Sequence, residues 1–383
     1  MYKTPHVPAM DRHVALYRRQ MQDQILVSFI VSKRPEEIGD YLPVAARGVD
    51  QEWMDRHCRA EADMEGIMEE ARQENQALAH LPDDGLPSAY PTAHFGESIF
   101  SAMLGGRIRF VGTGAHTCSG AEPLLTDWSD LPKLRYGPDM PWTRRYLKSL
   151  RAAADLDASG MFFWHFVTID TLNLAVELRG STEAYLDVVD SPGELAELMQ
   201  FGVDYARWFY QLEQEIIGPH NLAVARGHCY AREAPYIGRP WSSVDAYLLC
   251  DSQVYRDMGL SYHARFFESC GGGAMHTHGA RLLELLPMIV EIAALTAVQV
   301  GRDLPDGEEL PLLDILPELR RMAGDIPLIR CLLWQEEFEL GLREHRLVGG
   351  AHYIVRCPVL EADQVSRWME QVYAYKWHDS KTG

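Results

Sequence analysis

The sequence predicts an α/β protein, a (β/α)8 barrel of the TIM type with an N-terminal helical extension. From Gly160 onward, segments of strand type alternate with segments of helix type, a rhythm typical of βα units around a parallel sheet. Five or six such units follow Gly160 and one or two precede it, which favours a closed eight-stranded barrel over an open sheet. No dinucleotide-binding glycine fingerprint occurs, which argues against a Rossmann fold.

The N-terminal part is expected to supply the extension and the first barrel elements over residues 1–95, with the rest of the barrel over residues 96–383. The β-branched run Ile25–Val31 predicts a buried strand. Asp50–Leu81 is rich in Glu, Met, Ala and Gln and predicts one long helix or a helical pair. The prolines and glycine between Leu81 and His94 indicate a loop.

Apolar periodicity and flanking capping residues predict the later elements. The expected strands are Arg107–Val111, Gly160–Ile169, Leu222–Ala225, Tyr247–Asp251, the segment that carries His276, Thr296–Val300, Pro327–Leu333 and His352–Arg356. The expected helices are Gly96–Leu104, Pro141–Ala154, Thr171–Arg179, Ser181–Asp190, Pro192–Ile217, Tyr262–Cys270, Arg281–Leu295, Asp314–Ala323, Phe338–Arg346 and Glu361–Tyr375.

The composition limits the classes of partner. A net charge of −19 argues against binding to a nucleic-acid backbone or to an anionic membrane surface, so a small-molecule substrate is expected. No apolar stretch is long enough to span a bilayer, and the segment Met1–His6 lacks a signal-peptide pattern, which together predict a cytoplasmic protein. The seven cysteines are scattered without a Cys-x-x-Cys pair, so reduced thiols are expected and a structural zinc ribbon is not.

The most informative segment is Ser269–Gly279, in which a glycine run leads to two histidines at i and i+2. On a strand these positions face the same way, so His276 and His278 should project together. Two imidazoles on one face suit a metal, a proton-transfer site or an anionic substrate. The same pattern also fits a hydrogen-bonded pair at the end of a sheet.

In a (β/α)8 barrel the functional residues gather at the C-terminal ends of the strands. His276, His278 and Cys357 would there supply two nitrogens and one sulfur to a zinc ion and leave a fourth position open. Such a zinc can bind a thiol and lower its pKa, which yields a thiolate nucleophile. Other residues at strand ends or beside them are expected to line the pocket: Asp251 and Tyr262 as catalytic groups, and His165, His228 and Asp303 as substrate-binding groups.

Four segments carry a resemblance to a known family. They are Gly180–Pro192, Leu260–Phe267, Ala274–Gly279 and Gly349–Cys357. Between about Gly96 and Gln371 the chain resembles the uroporphyrinogen decarboxylase-like superfamily. The resemblance implies a barrel of the kind shared with cobalamin-independent methionine synthase and with corrinoid:thiol methyltransferases.

The methyltransferase branch of that superfamily has His-x-Cys-Gly on the corresponding strand and a second cysteine near the last strand. Matched by position, the resemblance implies zinc ligands at His276, at His278 in place of the first cysteine, and at Cys357. It also implies a corrinoid supplied by a partner protein. The decarboxylase branch has an N-terminal Arg-Gln-Ala-Gly-Arg motif that this chain lacks, although His352 lies near that branch's C-terminal histidine.

Three functions follow from these observations. The first is a zinc-dependent methyltransferase that acts with a thiol or a corrinoid methyl carrier. The second is a metal-free decarboxylase of a tetrapyrrole or another carboxylated substrate, and the third is a non-catalytic barrel that binds a small ligand. A homodimer is compatible with the sequence. The Met-rich segment Met54–Met68 is expected to pack in the core, to form part of a lid or to offer a surface to a partner subunit.

Overall fold

The computed structural model describes residues 6–32, 63–92, 95–96, 98–113, 116–157, 160–227, 239–304 and 309–378. Its centre is a parallel sheet of seven strands that are hydrogen-bonded in the order β1-β11-β10-β9-β8-β7-β6. The strands of this sheet are β1 (Ile25–Val31), β6 (Val167–Thr168), β7 (Trp241–Ser242), β8 (Gly273–Met275), β9 (Leu295–Gln299), β10 (Leu328–Trp334) and β11 (Ala351–Cys357).

The first and last strands of the chain are neighbours in the sheet, as a barrel requires. β1 pairs with β11 in parallel over its whole length, from Ile25 opposite Ala351 to Val31 opposite Cys357. The remaining gap, between β1 and β6, holds β2 (Ser88–Ala89), which pairs in parallel with β5 (Phe162–Phe163) just before β6. Counting β5 and β6 as one interrupted strand gives eight positions and the predicted (β/α)8 barrel.

Helices alternate with these strands, as the sequence predicts. They are α1 (His6–Tyr17), α2 (Met64–Leu78), α3 (Ile99–Met103), α4 (Pro141–Leu156), α5 (Thr171–Arg179), α6 (Ser181–Asp190), α7 (Pro192–Gly227), α8 (Leu260–Ser269), α9 (Leu282–Ile289), α10 (Leu312–Ala323), α11 (Gln335–Arg343) and α12 (Ala362–Ala374). An antiparallel hairpin of β3 (Ile108–Thr113) and β4 (His116–Ala121) stands outside the barrel sheet. Among the described helices, none combines the length and apolarity needed to cross a lipid bilayer.

Side-chain alternation divides each barrel strand between two cores. On β1, Phe29 points outward and stacks on Trp368 of α12 with ring centroids 5.2 Å apart. Leu26 points the other way, into a small cluster at the N-terminal end of the barrel. That cluster contains Leu16, Met21, Leu26, Trp241, Ala274, Ala297 and Ile329. Because Leu16 belongs to α1, the first helix closes the N-terminal end of the barrel.

Many predicted elements are confirmed, and α5 and α6 have the predicted bounds. Their junction explains why the prediction succeeds there. Asp170 caps α5 by accepting a hydrogen bond from the Asn173 N–H at 2.7 Å. Gly180 then takes a positive φ of 94° between the two helices, a conformation that favours glycine.

Three predicted strands are wrong in type or extent. Leu222–Ala225 lies within α7, because a short apolar run alone cannot distinguish a strand from a buried helical turn. Asp245–Leu249 forms a 3-10 turn where the strand Tyr247–Asp251 was predicted, and Tyr247 packs there against Tyr255. Gly160–Ile169 is not one strand but two pairs of residues, β5 and β6.

Candidate functional site

The histidine pair projects from the C-terminal end of β8, as the sequence predicts. Ala274 lies in the inner cluster, so alternation directs His276 and His278 to the barrel side. Thr277 faces the other way and donates a hydrogen bond to the Gln299 carbonyl of β9 at 2.6 Å. The ring centroids of His276 and His278 are 4.8 Å apart and the rings are nearly perpendicular, at 83°.

Two glycines allow the segments that follow β8 and β9 to pack together. A Cβ on Gly301 would lie 2.1 Å from the Thr277 carbonyl oxygen, and a Cβ on Gly279 would lie 2.7 Å from the Arg302 carbonyl carbon. Only glycine permits such close backbone contact. The contact brings Asp303 to the histidines, and its Oδ2 lies 2.5 Å from His278 Nδ1.

A second carboxylate approaches from the turn after β7. Asp245 Oδ1 lies 3.0 Å from His278 Nε2, which is close enough for an ion pair. The angles of this contact do not satisfy hydrogen-bond geometry. Asp245 Oδ1 and the buried His276 Nδ1 therefore have no hydrogen-bond partner among the described residues. Buried polar atoms are rarely left unpaired, so these two atoms are available to a ligand. We name these four residues, Asp245, His276, His278 and Asp303, the acid–histidine cluster.

The two imidazoles of the cluster carry opposite pKa shifts. The close contacts with the Asp245 and Asp303 carboxylates raise the pKa of His278 to about 10, whereas burial lowers the pKa of His276. Burial acts to raise the pKa of Asp245, but the ion-pair contact with His278 and the charges of the neighbouring imidazoles outweigh it and the net pKa is lowered. The hydrogen bond from His278 also lowers the pKa of Asp303. In the metal-free arrangement an imidazolium thus lies between two carboxylates.

Three members of the cluster could hold a metal ion. One ligand atom each from Asp245, His276 and His278 lies within 4.8 Å of the other two. Two imidazole nitrogens and one carboxylate oxygen form a ligand set that catalytic zinc sites use, with a further position left open. Asp303 would then support His278 through the other ring nitrogen, as second carboxylates often do in zinc sites.

Cys357 does not join the histidines, contrary to the predicted ligand set. It closes β11 on the outward face together with Tyr353 and Val355, and all three are fully buried. Burial raises the pKa of its thiol to about 12. Strand alternation is the reason: His352 and Ile354 line the barrel interior, so Cys357 must face the helical layer.

The two residues predicted to be catalytic lie outside the cluster. Asp251 is exposed and caps a short helical turn by accepting a hydrogen bond from the Gln253 N–H at 2.8 Å. Tyr262 donates a hydrogen bond to the Ala196 carbonyl oxygen of α7 at 3.0 Å, which ties two helices together. The structure gives both residues a role in holding helices and turns.

The three residues predicted to bind substrate have different surroundings. Asp303 belongs to the acid–histidine cluster. His165 lines a cavity inside the barrel, and its ring nitrogens each lie 3.0 Å from an oxygen, of Glu213 and of Gln214. His228 lies outside the described residues.

Sequence reasoning missed Asp245 because it placed the fourth strand too late. The strand ends at Ser242, and the chain turns at once, so the acid at the strand end is Asp245 and not Asp251. The Ser-Ser pair before Val244 was the available signal, since serines often begin turns.

Comparison with solved structures supports the fold. A methyltransferase from Methanosarcina mazei matches with a TM-score of 0.52 over 96% of this chain and 98% of that chain, at 10% sequence identity. At this identity the likeness shows a shared barrel fold. No protein-family profile and no curated protein sequence matches the chain. Membership of the uroporphyrinogen decarboxylase-like superfamily therefore stays a prediction from the motifs.

Proposed function

We propose that this barrel is a zinc-dependent methyltransferase that acts with a thiol or a corrinoid methyl carrier. The observation that carries the proposal is the convergence of Asp245, His276 and His278 at the C-terminal ends of the strands, with ligand atoms within 4.8 Å of one another. The structural likeness to a methyltransferase supports the reaction class. The proposal changes one ligand from the sequence-based set, since Asp245 replaces Cys357.

The roles of the residues follow from their positions. Asp245, His276 and His278 would hold the zinc ion, which would supply a site at which a thiol binds and loses its proton more readily. His276 Nδ1 and Asp245 Oδ1 have no hydrogen-bond partner among the described residues and are therefore available to bind the ion. Asp303 holds the His278 ring by its Nδ1 and leaves Nε2 to face Asp245. The set contains oxygen in place of thiolate sulfur and is therefore harder, so other divalent ions are competitors of zinc.

The methyl donor and the methyl acceptor would both bind at the C-terminal end of the barrel, where the acid–histidine cluster lies. We infer a small-molecule thiol as the acceptor and a corrinoid, carried by a partner protein, as the donor. The transfer moves a methyl group from cobalt to sulfur, and the bonding electron pair stays on the cobalt. This chain would orient the acceptor sulfur and keep it deprotonated.

Metal content separates the two ligand sets. We expect about one zinc per wild-type chain by mass spectrometry and loss of that zinc in Asp245→Ala and His276→Ala, because two remaining ligands hold zinc weakly. Cys357→Ala should keep its zinc. His263→Gln is the matched control, since His263 is a buried histidine that bonds to Ser243 and Tyr255 and not to the cluster.

Two other outcomes would contradict the proposed ligand set or the proposed function. Zinc lost from Cys357→Ala but kept in Asp245→Ala would restore the sequence-based ligand set. A folded wild-type protein without bound zinc after growth in zinc-supplemented medium would contradict the proposal and favour the metal-free decarboxylase or a binding protein.

The reaction itself can be followed with methylcobalamin and 2-mercaptoethanol under anaerobic conditions. We expect zinc-loaded protein to convert the absorption spectrum of methylcobalamin to that of cob(I)alamin, and Asp245→Ala to fail. Equal rates with and without zinc would rule out metal-dependent transfer between this donor and acceptor.

A further inference from the structure

A cavity of about 420 Å³ lies inside the barrel, separate from the acid–histidine cluster. Its wall is formed by inward residues of β1, β2, β7, β10 and β11, by α1 and by α2. Four large aromatic side chains face it: Tyr17, Tyr90, Trp164 and Trp241. No member of the acid–histidine cluster is among the described residues that line it. The cavity is within the size range of small-molecule sites.

An irregularity in β10 turns an arginine into this cavity. Leu328 pairs with Ala351 and Cys331 with Tyr353, so Ile329 and Arg330 together oppose a single residue of β11. Ile329 and Arg330 are consecutive and both line the cavity. Arg330 has a φ of +53°, a conformation that is uncommon for arginine. A β-bulge that re-aims a side chain in this way is often associated with function.

The Arg330 guanidinium has no counter-ion among the described residues, and within them no hydrogen bond or ion pair joins it to another side chain. Burial lowers the pKa of the guanidinium, yet its surface stays accessible, because the side chain projects into an internal cavity. An arginine in such a place normally pairs with an anion.

The histidines and the buried acid near Arg330 are neutral or already engaged. Burial lowers the pKa values of His13 and His352. His352 Nε2 lies 2.9 Å from the hydroxyl oxygen of Ser28. The Asp83 carboxylate accepts hydrogen bonds from the backbone N–H groups of Phe29 and Gly85. Glu74 also lines the cavity but is exposed to solvent, so Arg330 is the cation to which an anionic ligand in the cavity can bind.

We propose that the barrel interior binds a small monocarboxylic acid with an apolar or aromatic body. Its carboxylate would make a bidentate contact with Arg330, because the planar guanidinium matches the planar carboxylate. Its body would lie against the aromatic wall. One unpaired cation balances one negative charge, so a monoanion fits better than a phosphate dianion. The proposal does not rest on zinc binding, and a negative zinc result leaves it intact.

Benzoate is the probe, and binding to the full-length protein is measured by calorimetry. Benzamide has the same shape without the charge and should bind at least about tenfold more weakly. Arg330→Asn should weaken benzoate binding at least about tenfold, and it should fold, because asparagine tolerates a positive φ. Arg330→Lys keeps the positive charge but lacks the planar guanidinium, so its affinity for benzoate should lie between those of the wild type and Arg330→Asn.

Arg19→Asn is the matched control. Arg19 also has a positive φ, of 60°, but its guanidinium pairs with Asp325 at the surface, at 2.8 Å. This variant should bind benzoate like the wild type. Crystals soaked with 4-bromobenzoate should show an anomalous peak in the cavity beside Arg330.

Two results would overturn the proposal. One is equal benzoate affinity in wild type and Arg330→Asn, which would place the probe elsewhere. The other is a wild-type protein that binds none of benzoate, phenylacetate and hexanoate.

Discussion

At the scale of single residues, surroundings decide the chemistry of identical side chains. His276 and His278 are two positions apart on one strand face, yet burial lowers the pKa of one and two carboxylates raise the pKa of the other. The sequence predicts that the two rings project together because the strand period is two. It could not predict their charges, because Asp245 and Asp303 come from the segments that follow other strands, β7 and β9.

His263 offers a residue-scale test of buried-histidine energetics. Burial lowers its pKa from the usual value of 6.5 to about 4. Between these values the unfolded chain binds a proton that the folded chain does not, so stability falls as the pH drops through this window. From pH 7 to pH 4 the wild type should lose about 3 kcal/mol more than His263→Gln, which keeps a donor for the Ser243 carbonyl.

Urea unfolding at several pH values measures this difference, because the other titrating groups are common to both proteins. Parallel stability profiles of the two proteins would show that the pKa of His263 is the same in the folded and unfolded chains, so that burial does not lower it.

At the scale of elements, the join between β8 and β9 shapes the acid–histidine cluster. Thr277 and Thr296 each donate a side-chain hydrogen bond to a carbonyl of the other strand, at 2.6 and 2.9 Å. Gly279 and Gly301 then let the segments beyond the strands cross. The sequence contains both glycines, but the reason why only glycine fits at these positions is visible only in the structure, where the two segments are in contact.

Gly301→Ala tests this contact. The added Cβ would meet the Thr277 carbonyl oxygen and the His278 Cα, which are backbone atoms that cannot rotate away. We expect a loss of about 2–4 kcal/mol in the free energy of unfolding, measured in urea.

Gly193→Ala is the control, because a Cβ there meets nothing within 4 Å and the residue lies in the first turn of α7. It should change stability by no more than about 1 kcal/mol. Equal effects of the two substitutions would show that the segments beyond β8 and β9 are not tightly packed.

At the scale of the whole molecule, aspartate side chains help to close the barrel. Between β1 and β2 the carboxylates of Asp83 and Asp84 accept hydrogen bonds from the backbone N–H groups of Phe29 and Val27, at 2.8 and 2.9 Å. Asp84 also pairs with Arg12 of α1 at 2.7 Å and is fully buried. One carboxylate thus joins the first helix to the first strand.

Asp84→Ala would leave the Val27 N–H unpaired and Arg12 without its counter-ion. Removing one partner of a buried pair costs about 3–5 kcal/mol, and we expect a loss of that size in the free energy of unfolding. Asp325→Ala is the control, because Asp325 pairs with Arg19 at the exposed surface and should cost no more than about 1 kcal/mol. Similar losses in both variants would contradict a role for Asp84 in barrel closure.

The barrel and the histidine pair can both be predicted from the sequence. Both depend on local periodicity: strands alternate with helices after Gly160, and residues two apart on a strand share a face. The helices α5 and α6 were predicted at their bounds because Asp170 and Gly180 mark their ends by local chemistry.

The residues that complete the two sites become visible only in the folded chain. Strand alternation predicts that Cys357 and His352 lie on opposite faces of β11. Which face points into the barrel and which points to the helices is visible only in the structure. Asp245 reaches the histidines because β7 ends after two residues, and Arg330 reaches the cavity because β10 bulges. Strand ends and bulges are set by pairing with distant parts of the chain, so local patterns do not reveal them.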